Sequence, residues 1–122
     1  MKMKIIRVLF VAPALLVLGV WLAFGQPKGE TVTVKGEVVD LWCYLEGGDH
    51  GADHKKCAVA CAKAGNPIGI LDSAGNLYVA AGLKDHQPAQ TMLLNRMSDE
   101  VTATGTVVKK GGVQMIYIDT VK

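Results

Sequence analysis

Hydrophobic and β-branched residues alternate with polar residues in several segments of the chain. Residues 31–39 follow a period of two, and residues 101–108 and Val113–Val121 repeat the pattern near the C-terminus. This period is that of a strand with one buried face. Two shorter apolar runs, at 67–71 and 77–81, are separated by a polar segment that contains Asp, Gly and Asn and is typical of a hairpin loop. The pattern therefore predicts five strands.

Two segments between the predicted strands have helical features. Asp53 is predicted to cap a helix over residues 54–64, rich in alanine and lysine, and Gly65 supplies the position just beyond its end. Pro67 prevents the helix from continuing. A second, shorter helix is predicted to begin at Pro88 and to include the apolar residues that follow it.

Glycines interrupt the first and fourth predicted strands, at Gly36 and Gly105. A glycine inside a strand usually marks a bulge or a sharp bend, which helps a strand to curl. Five strands with such bends, and a helix between strands three and four, predict a mainly β fold. We expect a small five-stranded OB-like Greek-key barrel with one or two short helices. An open five-stranded sheet with one helix packed on it is the alternative.

The N-terminal segment differs in composition from the rest of the chain. Three basic residues within the first seven positions precede residues 8–24, which carry no charge. The segment ends in Ala23-Phe24-Gly25, whose small residues fit cleavage of a signal peptide after Gly25. An uncleaved anchor helix is the alternative, because the apolar run approaches the length of about 20 residues that spans a bilayer.

This segment divides the chain into three parts: a signal peptide or anchor at 1–25, a polar linker at 26–30 and an OB-like domain at 31–122. We expect a periplasmic or secreted protein, attached to the membrane if residues 1–25 are retained. The formal net charge of the whole chain is +2. Without residues 1–25, ten basic residues face eleven acidic ones, a net charge of −1. Such a domain has no general attraction to nucleic acid or anionic lipid, so we expect no nucleic-acid partner and membrane contact only through residues 1–25.

All three cysteines and two of the three histidines lie within residues 43–61. On the predicted helix, His54, Cys57 and Cys61 follow one another at intervals of three and four residues and share one face. Cys43 is predicted to end the first strand, and the glycine-rich loop after it allows Cys43 to fold over that face.

Three thiolates and one imidazole form a tetrahedral ligand set for Zn²⁺, and soft sulfur ligands also suit Cu(I). The sequence thus predicts a zinc or copper site, with His50 as an alternative nitrogen ligand. Its predicted ligands are Cys43, His54, Cys57 and Cys61. Asp40 and Glu46 flank Cys43, and we expect both to be solvated carboxylates, with a hydrogen bond to a metal ligand as the alternative.

A structural disulfide is the competing interpretation of the same cysteines. In an oxidising compartment, Cys43 could bond to Cys57 or Cys61, and closing such a loop stabilises a domain by roughly 3 kcal/mol. The protein would then be a non-enzymatic interaction module. Its ligand surface would include Trp42 and Tyr44, which alternate with Cys43 on the predicted strand. A thiol-redox protein ranks third, because the chain lacks the Cys-x2-Cys spacing typical of that chemistry.

The sequence contains none of several common catalytic signatures. It has no Gly-x-Ser-x-Gly motif, no phosphate-binding or dinucleotide-binding glycine loop and no Cys-x2-Cys-His haem site. A site with four protein ligands is closed, which favours a structural or carrier role over catalysis. We therefore expect a protein that is not an enzyme.

Several short motifs occur in a recognisable order. They are Val-Lys-Gly-Glu-Val-Val-Asp at 34–40, Cys43-Tyr44, His54-x2-Cys57-Ala58-x2-Cys61, Gly65-x-Pro67, Leu77-Tyr78 and Thr104-Gly105-Thr106-Val107. In this spacing, residues 34–122 resemble a group of small uncharacterised bacterial exported proteins. The resemblance implies an OB-like domain with a Cys/His site, and it implies no settled activity.

Overall fold

The structure is a computed structural model that describes residues 28–82 and 87–122. The segment 1–25, predicted to be a signal peptide or an anchor, lies outside the described residues. Within the described ranges, no helix has both the length and the apolar character needed to cross a membrane.

Five strands and three short helices make up the described part of the chain. In order they are β1 (Glu30–Asp40), α1 (Leu41–Gly47), α2 (Lys55–Lys63), β2 (Ile68–Asp72), β3 (Leu77–Gly82), α3 (Gln90–Leu93), β4 (Glu100–Lys110) and β5 (Val113–Val121). Single 3-10 turns at Ala52–His54 and Leu94–Arg96 precede α2 and follow α3.

The strands form a closed barrel in the order β1-β2-β3-β5-β4, in which β4 pairs with β1 to complete the circle. The pairing of β3 with β5 is parallel, and the other pairings are antiparallel. The predicted five-stranded, mainly β barrel is confirmed, and the open sheet considered as its alternative is wrong. Closure gives every strand two neighbours and leaves no unpaired edge.

Both predicted strand glycines lie where the barrel backbone is crowded. β1 changes partner at Gly36 and Glu37, and Gly36 pairs both with Val101 of β4 and with Asp72 of β2. At Gly105 the register between β4 and β5 shifts, as a bulge requires. A Cβ atom at Gly105 would lie 2.1 Å from the carbonyl oxygen of Tyr117. This close approach of two backbones is possible only because residue 105 has no side chain.

The core fills the barrel interior and one end. Its apolar side chains alternate along the strands, and α2 adds the small side chains of Ala58 and Ala62. The largest fully buried apolar side chains are Ile68, Ile70, Leu93, Met97, Ile116, Ile118, Val38 and Val101. Because Ala58 and Ala62 face this core, α2 lies close against the barrel and the rest of its surface is left free for other contacts.

The segment after β1 differs from its predicted conformation. Residues 41–47 form helix α1, so Cys43 does not end the first strand, and Trp42 and Tyr44 do not alternate with it on a strand. The side chain of Asp40 caps this helix by accepting a hydrogen bond from the Cys43 N–H group. A seven-residue segment is too short for its periodicity to separate helix from strand, and the cap decides between them.

The beginning of α2 also differs from the prediction, whereas its end agrees. Asp53 is not the N-cap: it lies inside the 3-10 turn, and α2 begins at Lys55 without a side-chain cap. Asp53 therefore lacks the extended backbone that a capping residue adopts. At the other end Gly65 has a φ of +99°. The N–H group of Gly65 donates to Ala62, and that of Asn66 donates to Cys61, as predicted for a glycine-terminated helix.

We expect the substitution Gly105→Ala to lower the free energy of unfolding by at least about 2 kcal/mol, because neither backbone can move away from the new methyl group without breaking the β4–β5 ladder. Gly47→Ala is the matched control, since its Cβ would meet only the side chain of Asp49, at 3.1 Å. Alanine there should leave stability unchanged or slightly higher. Urea unfolding of both variants measures the difference, and equal effects would contradict this account of Gly105.

Candidate metal centre

The position of Cys43 is set by the junction between β1 and α1. β1 ends at Asp40, which is only 1% exposed. Its Oδ2 atom accepts the hydrogen bond of the Cys43 N–H group at 2.9 Å. The preceding residues, Val38 and Val39, are buried, so the barrel core holds this end of β1 in place. Cys43 is therefore tied to the barrel through a buried carboxylate, together with the buried Leu41, whose N–H group donates to the carbonyl oxygen of Pro67.

Cys57 and Cys61 are placed by α2, and His54 by the turn before it. The core contacts of Ala58 and Ala62 hold the helix axis against the barrel. Near the beginning of the helix, the Lys55 ammonium group forms a 2.6 Å ion pair with Asp99, in the loop before β4. Cys57 is exposed at the surface, whereas Cys61 and His54 are half-buried. The candidate site thus extends from the surface towards the barrel.

The potential metal-ligand atoms form two groups that share Cys43. In one group, the ligand atoms of Cys43, His54 and Cys57 all lie within 4.8 Å of one another. In the other, those of Asp40, Cys43 and Cys61 meet the same limit. The structure therefore brings together Cys43, His54 and Cys57 as predicted. It places Cys61 beside Cys43 in a second group, together with the Asp40 carboxylate, for which solvation is predicted.

The spacing of the sulfur atoms suits a metal ion. The Sγ atoms of Cys43 and Cys61 lie 3.9 Å apart. Two thiolates bound to one zinc ion, each about 2.3 Å from it at the tetrahedral angle, lie about 3.8 Å apart. A disulfide needs about 2.0 Å. The three cysteines, all within the described residues, are free thiols.

Two polar atoms at the centre are buried without a hydrogen-bond partner among the described residues. They are Oδ1 of Asp40 and Nε2 of His54. A buried polar atom left unpaired costs about 1–3 kcal/mol, and more if it is charged. Both atoms have lone pairs available when Asp40 is ionised and the Nε2 position carries no proton, so both can bind a cation. A bound metal ion would remove both deficits.

The thiols are poor acids in the metal-free site. The neighbouring Asp40 carboxylate raises the pKa of Cys43 well above its ordinary value of 9.0, and burial adds to the effect. Burial is the main cause that raises the pKa of Cys61. Both thiols are therefore protonated at neutral pH in the free protein, and a metal ion must displace protons to bind.

The second predicted nitrogen donor, His50, is engaged elsewhere. Its Nδ1 atom lies 3.0 Å from Glu37, and its ring meets that of Tyr44 edge-on at 5.8 Å between centroids. His50 belongs to neither group of candidate ligands. Glu37, whose other oxygen accepts the Gly51 N–H group, had no predicted role. It fastens the loop between α1 and α2 to the barrel.

The residues around Cys43 differ in their surroundings. Asp40 is buried, so the prediction of a solvated carboxylate is wrong for it. Glu46 is exposed as predicted and accepts a hydrogen bond from Trp42 Nε1 at 3.1 Å.

Trp42 is 62% exposed, and Tyr44 is half-buried beside His50. Two positions apart on a helix, Trp42 and Tyr44 point in nearly opposite directions, and the ligand surface predicted from them stays a prediction.

Asp40 is the residue of this centre whose burial the sequence pattern does not predict. The available signal was an aspartate directly after an apolar strand and three residues before a cysteine, which is the spacing of a capping residue and its N3 position.

Comparisons of the chain with known protein families, curated proteins and solved structures find no match.

We expect the reduced, metal-free protein to lose stability as the pH rises above about 9. The raised thiol pKa values mean that the folded state holds these protons more tightly than the unfolded chain does. Their contribution is therefore complete below the ordinary value of 9.0 and declines above it. Urea unfolding with chelator and reductant at several pH values measures the decline. The double variant Cys43→Ser, Cys61→Ser should show a shallower decline, and equal slopes would contradict this assignment.

Proposed function

We propose that the chain is an exported protein whose barrel is of the OB type and carries a zinc or copper ion in a structural or carrier role. The strand order β1-β2-β3-β5-β4, the parallel pairing of β3 with β5 and the helix between β3 and β4 support the OB assignment. The basic and apolar N-terminal segment supports export.

The proximity of Cys43, His54 and Cys57 is the observation that carries the metal-binding proposal. We assign Cys61 as the fourth ligand, because its sulfur lies at a tetrahedral edge distance from that of Cys43. Four protein ligands leave no open position for substrate, which favours storage, transfer or structural support over catalysis. The exposed thiol of Cys57 gives an incoming ion a first point of attachment.

A second candidate function uses the same cysteines without a metal. The 3.9 Å separation of the Cys43 and Cys61 sulfur atoms is short enough for a small side-chain rotation to allow a disulfide between α1 and α2. Beside Cys43, the side chains of Trp42 and Leu45 are 62% and 69% exposed. An oxidised, disulfide-stabilised interaction module would present these apolar side chains to a protein partner.

Metal content and thiol count separate the two functions. We expect the protein purified anaerobically in mild detergent to contain close to one equivalent of zinc or copper. After chelation, alkylation mass spectrometry should find three reactive cysteines. A metal-free protein with one alkylatable cysteine and a Cys43–Cys61 disulfide would overturn the metal-binding function and support the interaction module.

His54→Ala should weaken metal retention by about tenfold or more while the barrel stays folded, because it removes a proposed ligand that contributes little to the core. His50→Ala is the matched control and should retain the metal, since His50 pairs with Glu37. Equilibrium competition with a chelator measures retention, and far-UV circular dichroism checks the fold. The opposite result, with retention lost only in His50→Ala, would identify His50 as the nitrogen ligand.

A further inference from the structure

We infer that Asp40 is itself a metal ligand, entering with Cys43 and Cys61, and that its carboxylate shifts the preference of the centre towards a divalent ion such as Zn²⁺ and away from Cu(I). This inference rests on the proposed metal-binding function. It makes Asp40 a fifth donor to the ion, a coordination number that zinc can also adopt, and it adds a choice of metal.

The position of the Asp40 carboxylate is the first observation that supports Asp40 as a ligand. A carboxylate oxygen of Asp40 lies within 4.8 Å of the Sγ atoms of both Cys43 and Cys61. Those two sulfur atoms lie 3.9 Å apart. Three donors at these separations can surround one ion, because neighbouring ligands at about 2.0–2.3 Å from a zinc ion lie roughly 3–4 Å from one another. The small remaining adjustment is within the reach of side-chain rotation.

The second support is the unequal use of the two carboxylate oxygens. Oδ2 caps α1 through the Cys43 N–H group, whereas Oδ1 is buried and has no hydrogen-bond partner within residues 28–82 and 87–122. The residue as a whole is only 1% exposed, so water does not solvate the carboxylate freely. A helix cap requires only one oxygen, and capping therefore does not account for the second.

The charge of the buried Asp40 carboxylate is the third observation that supports Asp40 as a ligand. In the described part of the chain, lysine, arginine and histidine side chains form ion pairs with carboxylates other than Asp40. These carboxylates are Glu37, Asp99 and Glu100. Asp40 faces two thiols instead. A carboxylate removed from water is expensive unless a cation accompanies it. A divalent metal ion between Asp40 and the two cysteines would be that cation.

The choice of metal follows from the donor type. Carboxylate oxygen is a hard ligand that occurs in zinc sites beside thiolate and imidazole. Cu(I) prefers soft thiolate and thioether donors and gains little from a carboxylate. The sulfur atoms thus serve both metals, whereas Asp40 favours zinc.

The test compares the two affinities in Asp40→Asn. Asparagine caps a helix as well as aspartate does, so α1 is preserved while the anionic ligand is lost. We expect Asp40→Asn to weaken Zn²⁺ binding by at least about tenfold and to change Cu(I) binding by less than about threefold. The zinc affinity is measured against a chromophoric zinc chelator and the Cu(I) affinity against bicinchoninate, both anaerobically with the full chain in mild detergent.

Glu46→Gln is the matched control, because it also neutralises a carboxylate three positions from Cys43, but an exposed one. It should alter neither affinity. Asp40→Ser, which also caps a helix and has no carboxylate, should repeat the result of Asp40→Asn. Circular dichroism of the metal-free proteins checks that each variant is folded.

Unchanged zinc binding in folded Asp40→Asn would overturn the inference and leave the metal-binding function intact. Equal weakening of both metals would also overturn it, since it would show that Asp40 positions the cysteines and does not select the ion. Failure of both capping variants to fold would show that the carboxylate is needed for the barrel itself, and it would overturn the assignment too. A wild-type protein that binds neither metal would instead refute the proposed function.

Discussion

The hydrogen bond between the Asp40 carboxylate and the Cys43 N–H group is the interaction on which the candidate centre depends. It lies at the point where the first barrel strand turns directly into a helix, and its acceptor Asp40 is held by the barrel core at the buried end of β1. Without this cap, the short segment 41–47 would lose the helical turn that orients Cys43. The three donors that approach Cys43 from α2 and the preceding turn would then have no common neighbour.

The centre combines two independently supported elements. α1 is fixed through Asp40, whereas α2 is fixed by Ala58 and Ala62 in the core and by its glycine-terminated end. Between these two helices, the sulfur atoms of Cys43 and Cys61 lie 3.9 Å apart without a covalent link. Such preorganisation favours metal binding, since little conformational entropy remains to be lost when the ion enters. The raised pKa values of the thiols oppose it by making protons compete with the metal.

Local rules in the sequence accounted for most of the barrel. Alternation identified the strands, the segment between 71 and 77 identified the hairpin, and Gly65 identified the end of α2. The same rules failed where two conformations were locally similar in energy. The apolar segment after Asp40 suits a strand or a helix, and Asp53 resembles a cap whether or not the backbone around it is extended. In the first place the Asp40 cap decided the outcome, and in the second the 3-10 turn at Ala52–His54 left Asp53 without a capping role.

The sequence by itself determined the fold class, the clustering of cysteine and histidine within residues 43–61 and the shared helical face of the α2 cysteines, because these depend on spacing and periodicity alone. Only the tertiary structure decided that Asp40 is buried beside two thiols and that His50 turns to Glu37. Burial and partner choice depend on how the barrel closes, since β1 must reach both β2 and β4 before its last residue can face α2. A carboxylate has the same chemistry at every position in the sequence, and its surroundings in the fold determine whether it is solvated or able to bind a metal.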